Sequence, residues 1–528
     1  MLLALTALLG SLVATNAAAT ASTTKRPCSD IEAPDVPGAK IVSIISTELV
    51  DFTVPAVRPI LNQDVTGINV CQVLVTLTHP GANDTVNVQV WLPLENWTGR
   101  FLAAGGSAWA AGLGPLSIAP YAVKGFAAAS TDAGLTGEIL DPSPWALKPD
   151  GTVNTELLTN FASRSIHDMV VVGKAVSKSY YNKGPDFSYW EGCSTGGRQG
   201  LVAAQKYPED FDGIVAGSPA TYWTKYVIAE LWPQVVMNEV GYYPAACEFT
   251  AVREDVVATC DELDGVKDGV ISNLARCKYD PSRLLGKSID CNGTQVTIND
   301  KLVSIVKKIW EGPKTASGSP LWYALTVGAP LDTLAGIQDV NGTDRIGAPF
   351  PVARDWARLW VKQNPNFDFA ALDSAGLREL FAESVKKFNS VIDSSDPDLS
   401  GFRKAGGKLL VWHGEADHII FPQDSIRYLQ EVRKSTGHNV KDFFRLFIAP
   451  GVDHCALGSI DGAGPTDALG SIIDWVENKK APKELAAATL PTAKTQFTRK
   501  LCAYPLVAKY DGHGDPSVAA SYHCAKCL

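Results

Sequence analysis

No Lys/Arg-rich block interrupts this chain. Its 47 basic residues are scattered among 56 acidic ones, giving a formal net charge of −9. Phosphate binding needs a basic face, so a nucleic-acid partner is excluded. Beyond the N-terminus the chain also lacks the roughly 20 uninterrupted apolar residues of a membrane-spanning helix, so the mature chain is expected to be soluble. It has no internal repeat. What remains is 46% apolar and 20% charged, the balance of a globular protein with a real core. A length of 528 residues allows one large domain with an insertion, or two to three modest ones.

The single long apolar stretch, residues 2–13, is followed by Ala17-Ala18-Ala19, an A-x-A-like cleavage site. Residues 1–19 therefore read as a signal peptide, and the mature chain as secreted. N-x-S/T sequons at Asn83, Asn96, Asn292 and Asn341 agree with export, each a possible glycan site. All 11 cysteines follow the signal and would meet an oxidising compartment, where pairing is expected. The odd count leaves at least one without an intramolecular partner.

Short strand-like runs occupy residues 85–91, 100–104 and 126–130, and helical spacing runs through 157–181. Next come strand-like FSYW (187–190), a Gly-rich turn, a helix through Gln205, and GIVAG (213–217). Strand, turn, helix, strand in this order implies a parallel sheet with crossover helices. Between about 220 and 405 that alternation fades into Trp-, Pro- and Cys-bearing text. It returns at 408–412 and 443–449, with a helix over 466–478. The expected architecture is an α/β sheet of residues 20–220 and 406–528, interrupted by an inserted lid of residues 221–405.

Gly192-Cys193-Ser194-Thr195-Gly196 matches G-x-S-x-G between a strand and a helix, the context that motif requires. Small flanking residues let the turn close, and the Ser194 hydroxyl then points into the site near the positive end of the helix. A serine needs an adjacent base oriented by a carboxylate. Among His413, His418, His438 and His454, only His454 stands in a turn (GVDHC) after a strand, where a hydrolase histidine belongs. Asp417, in a short loop after KLLVWHG, is the expected acid; Asp453 and Asp424 are its rivals. Cys193 precedes the nucleophile and Cys455 follows the base. Bridged, they would hold their Cα atoms about 5.5 Å apart and force Ser194 and His454 into one small volume. An oxyanion hole needs two backbone N–H groups. One is expected from Thr195, the other from the turn Gly105-Gly106-Ser107, with Gly106 the first choice.

SYWEGCSTGGRQGLVAAQKYPEDFDGIVAGSPA (188–220), VWHGEADHII (411–420), GVDHC (451–455) and LCAYPLVAKYDGHGD (501–515) together resemble the tannase/feruloyl esterase family of secreted hydrolases. The resemblance implies an α/β-hydrolase core with a large lid and a triad of Ser194, Asp417 and His454. It implies five disulfides: Cys193–Cys455, Cys28–Cys71, Cys247–Cys291, Cys260–Cys277 and Cys502–Cys524, with Cys527 left over. In the lid, CDELDGVKDGV (260–270) crowds carboxylates that repel unless solvated or bridged by a cation, and Ca²⁺ takes six to eight oxygens. The segment resembles the family's calcium loop, with Asp261, Asp264 and Asp268 giving side chains and Val266 and Val270 giving carbonyls. A structural Ca²⁺ and no organic cofactor are implied. The implied substrates are phenolic-acid esters, hydroxycinnamoyl (feruloyl) esters of plant cell-wall polysaccharide first and galloyl esters as the alternative. The alternative from another class is a catalytically inactive hydrolase fold that only binds such compounds.

Overall fold

The computed structural model of the protein describes residues 25–340 and 344–526. The expected signal peptide, Asn341 and Cys527 lie outside the described residues.

One nine-stranded sheet organises the chain, in the order β1-β2-β3-β5-β4-β6-β7-β12-β13. The strands are β1 (Lys40–Val54), β2 (Val65–Thr78), β3 (Val86–Pro93), β4 (Arg100–Ala104), β5 (Ala127–Thr131), β6 (Phe187–Cys193), β7 (Gly213–Gly217), β12 (Lys408–Gly414) and β13 (Phe444–Ala449). From β1 to β5 the neighbours are antiparallel. From β5 through β4, β6, β7, β12 and β13 they are parallel. All five residues of β5 and of β7 are buried. Strands covered on both faces read as continuous apolar runs. The period of two divides them between two cores: Phe101, Ala103, Leu409 and Val411 enter one, and Leu102, Ala104, Leu410 and Trp412 the other.

Two long strands, β1 and β2, were not expected. β2 does alternate in burial along most of its length, the signal by which it could be found. β1 is largely exposed and breaks register at three places between Ile41 and Val54. Its apolar residues therefore never settle into period two. The single helix expected over 157–181 is instead a short helix (Thr155–Thr159), one π turn (Asn160–Arg164) and a longer helix (Ser165–Tyr181). The wide turn starts at the fully buried Asn160, whose amide donates to Asp84 Oδ2 (2.8 Å) and the Ala133 carbonyl (3.2 Å). Tertiary partners thus outweigh regular helical spacing.

The described residues of 221–405 give no strand to the large sheet. They form helices, notably Trp223–Ala229, Ala246–Cys260 and Ser374–Ile392, with two hairpins, β8/β9 (Ser288–Cys291, Thr294–Thr297) and β10/β11 (Ile337–Val340, Asp344–Gly347). The molecule is an α/β-hydrolase core bearing a lid. A buried aromatic cluster joins the two. Trp109 of the core stacks on Trp360 of the lid (centroids 4.5 Å) and meets Trp223 edge-on at 5.2 Å. The chain ends in a small sheet of β14 (Gly464–Pro465), β15 (Glu484–Ala488) and β16 (Thr498–Cys502), then the hairpin β17 (Leu506–Tyr510)/β18 (Tyr522–Lys526). Disulfides join Cys28–Cys71, Cys193–Cys455, Cys247–Cys291, Cys260–Cys277 and Cys502–Cys524. Asn83, Asn96 and Asn292 are exposed, each at a positive φ. Among the described residues no helix is long and apolar enough to cross a membrane.

Candidate active site

β6 ends at Cys193, and the helix Thr195–Lys206 starts one residue later. Ser194 alone makes the turn, at φ 63° and ψ −121°. A non-glycine residue held there is strained, and the surroundings must fix it. They do: Ser194 N–H donates to the Gly217 carbonyl (3.0 Å), and the Ser194 carbonyl accepts from Arg198 N–H (3.0 Å). Gly192 is required by the close approach, since a Cβ there would lie 2.7 Å from the Gly196 carbonyl carbon. Ser194 is half-buried.

His454 sits in the 3-10 turn His454–Ala456 after β13. Its Nδ1 lies 2.8 Å from Asp417 Oδ2. The other Asp417 oxygen accepts from the Ile419 and Ile420 N–H groups, both at 2.9 Å. Burial pushes the Asp417 carboxyl up. The charge of His454 and the hydrogen bonds of His413 and His454 outweigh it and hold the group far below the usual carboxylate range. The disulfide partners Cys193 and Cys455 stand 6.0 Å apart at Cα, so Ser194 and His454 hang on adjacent backbone. Among the described residues Ser194 Oγ has no hydrogen-bond partner, and catalytic hydrogen bonds often close only around a substrate.

The rivals lie elsewhere. Asp453 turns away to accept from Ser459 N–H and Oγ. Asp424 is fully buried with both oxygens unpartnered. His418 is buried with Nδ1 unpartnered, and burial pushes its pKa down. His413 is more involved than its sequence setting suggests. Its Nε2 lies 3.2 Å from Asp417 Oδ2 and 3.0 Å from the Ile420 carbonyl, and its Nδ1 lies 2.8 Å from Ser425 Oγ. Its spacing of four residues before Asp417 was the available signal.

The expected second oxyanion donor needs correction. Gly106 N–H donates to Gln199 Oε1 (2.9 Å), so it is already spent. Gln199 is wholly buried and bridges the loop by donating also to the Ala111 carbonyl (2.8 Å). A buried amide must find such partners. Gly106 serves packing instead: a Cβ there would lie 1.9 Å from the Ala110 carbonyl oxygen. The N–H groups of Gly105 and Ser107 are also spent, on Glu191 and Ala110. Thr195 N–H and Ala108 N–H have no acceptor among the described residues. The two residues are linked, because Thr195 Oγ1 donates to the Ala108 carbonyl (2.7 Å).

In the lid loop, Asp261 accepts from Asp268 N–H (3.1 Å) and Gly269 N–H (3.0 Å). Asp264 accepts from Val266 N–H (2.9 Å), and Asp268 from Val270 N–H (3.0 Å) and from Arg499. Among the described residues no group of three or more His, Cys, Asp and Glu side chains is arranged to hold a metal. The carbonyls of Val266 and Val270 accept no hydrogen bond from the described residues. Burial pushes the Asp264 and Asp268 carboxyls up, and in each case a neighbouring aspartate raises it further.

Residues 71–525 match the sequence pattern of the family described as tannase and feruloyl esterase. The chain belongs to that family. A protein of Arthroderma benhamiae named "Probable feruloyl esterase" is 47% identical over 94% of this chain and 93% of its own. Among solved structures of the family, the tannin acyl hydrolase from Aspergillus niger is 26% identical and superposes with a TM-score of 0.85, covering 94% of each chain. Feruloyl esterase B from Aspergillus oryzae is 28% identical with a TM-score of 0.75, covering 93% of this chain and 97% of its own. The protein is thus a serine-hydrolase-type enzyme of the tannase and feruloyl esterase family.

Proposed function

We propose that the protein is a secreted esterase that cleaves phenolic-acid esters, with hydroxycinnamoyl (feruloyl) esters of plant cell-wall polysaccharide as its substrates. The reading rests on the Asp417–His454 hydrogen bond beside the strained Ser194. Ser194 Oγ attacks the ester carbonyl while His454 Nε2 takes its proton. Asp417 fixes the tautomer that leaves Nε2 free, and stabilises the imidazolium that forms. The developing oxyanion is held by Thr195 N–H and, in place of Gly106, by Ala108 N–H. His454 returns the proton to the leaving alcohol, and water releases the acid by the reverse sequence. Secretion is supported by the five disulfides, which persist in oxidising compartments, and by the exposed sequons Asn83, Asn96 and Asn292. A structural Ca²⁺ belongs to the same proposal. Asp261, Asp264 and Asp268 with the Val266 and Val270 carbonyls offer oxygens of the kind that ion takes; binding would draw the three carboxylates together, release Asp268 from Arg499 and offset the mutual repulsion of the carboxylates.

Galloyl esters are the second reading, favoured by one observation: the backbone superposes better on the tannin acyl hydrolase (0.85) than on feruloyl esterase B (0.75). Parallel kcat/KM measurements on methyl ferulate and methyl gallate decide between them, with ferulate expected to be preferred. A clear preference for gallate reverses the assignment. Ser194→Ala should abolish both activities with folding intact, and surviving turnover would remove Ser194 as nucleophile.

A further inference from the structure

A cleft of about 630 Å³ opens beside the outer edge of the sheet, where the lid loop 272–275 meets the C-terminal hairpin. None of Ser194, Asp417 and His454 lines it. Its walls are mostly apolar, with Ile448, Pro450 and Tyr504 among them, and Glu415, Lys500 and Lys526 are its charged groups. Small-ligand sites have this size and make-up: an apolar concavity with a few convergent polar groups. Lys526 has no ion pair among the described residues, and Lys500 has only a loose one with Glu484 at 3.7 Å. Glu415 is half-buried, and its carboxyl has no hydrogen-bond partner among the described residues. Two cations, the exposed Lys526 and the half-buried Lys500, and a carboxyl without an internal partner therefore stand among a mostly apolar lining.

We propose that this cleft is a second, non-catalytic binding site for a small aromatic carboxylate. The ring packs against Ile448, Pro450 and Tyr504, the carboxylate meets the Lys500 and Lys526 ammonium groups, and Glu415 accepts from a ring hydroxyl. Glu415 also ties the cleft to the triad. It lies two residues before Asp417, on a turn held by Glu415 N–H to the Ala449 carbonyl (2.8 Å) and Ala416 N–H to the Val452 carbonyl (3.1 Å). A ligand seated there bears on the loop that carries the catalytic acid. That the natural occupant is the acid released at Ser194 rests on the function proposed above; the site itself does not.

The test is calorimetric titration of ferulate into the full chain after Ser194 has been sealed with an alkyl phosphonate and the added mass confirmed. One equivalent should bind. Binding should weaken at least ten-fold in the Lys500→Glu/Lys526→Glu double variant, and in Val507→Trp, which fills the cleft without changing its charge. Failure of the sealed enzyme to bind ferulate overturns the proposal, as does unchanged binding in both variants. Failure of the esterase reading would show separately, as an enzyme that neither takes up the phosphonate nor hydrolyses methyl ferulate.

Discussion

Replacing Cys193 and Cys455 together with serine removes the covalent link beside Ser194 and His454. The double variant leaves no free thiol from this pair to attack the other four disulfides. The bond closes a loop with a sequence separation of 262 residues. In the chain-entropy account, losing a crosslink over that span frees the unfolded chain by about 5.6 kcal/mol, an upper value because native disulfides often contribute about 2–5 kcal/mol. Catalysis should suffer less than stability. Ser194 keeps its backbone bond to Gly217, and His454 keeps Asp417. What is lost is their mutual register, and a displacement near 1 Å costs about a hundred-fold. We therefore expect unfolding free energy to fall by about 2–5 kcal/mol and kcat/KM by about ten- to a hundred-fold. Urea unfolding followed by tryptophan fluorescence, with recovery of activity on dilution checked, gives the first quantity. Steady-state kinetics on methyl ferulate at low urea gives the second. A stability loss under about 1 kcal/mol with unchanged kcat/KM would refute the claim that this bond holds the site together.

Three further outcomes are expected. Gln199→Leu strands the Gly106 N–H and the Ala111 carbonyl in a buried loop, at about 1–3 kcal/mol for each group; an unchanged melting temperature would show that the loop is held by something else. Burial pushes the Asp393 carboxyl up to about 6 from 3.8, so the folded protein keeps a proton that the unfolded chain has released. That contribution is complete below pH 3.8 and is lost as pH rises to about 6, at most about 3 kcal/mol in all. Asp393→Asn should accordingly raise the melting temperature at pH 8 but not at pH 4, and equal shifts at the two values would contradict it. Dialysis against a chelator should lower the melting temperature and added Ca²⁺ should restore it, with Asp264→Asn insensitive to both; a chelator-indifferent wild type would remove the ion from the lid.

The strand–turn–helix around Ser194 was legible because its sterics are written in consecutive residues: nothing larger than glycine fits at 192, and the helix must start at once. The central strands were legible for a similar reason, since burial on both faces leaves an uninterrupted apolar run such as GIVAG. Cys193 and Cys455 were informative because each abuts a candidate catalytic group. What escaped depends on folded contacts that no run of consecutive residues records. Gly106 looked available until Gln199, 93 residues on, claimed its N–H. Asn160 sits at helical spacing, yet Asp84 draws its side chain inward and widens the turn. β1 hides its strand character because bulges interrupt its alternation. His413 reads as an ordinary strand-end residue until the loop folds back and sets Asp417 against it.

The aromatic seam between core and lid limits how the two can move apart. Trp109 neighbours Ala108 in the loop that meets the elbow, and its ring is clasped by Trp223 and Trp360 from the other side. Swinging the lid aside as a hinged flap would tear this stack apart and drag on the loop whose Ala108 N–H is proposed to hold the oxyanion. The join of core and lid beside the Ser194 turn is therefore a packed seam and not a hinge. On the function proposed above, discrimination between acyl groups then falls to the side chains around Ser194 rather than to the timing of a gate.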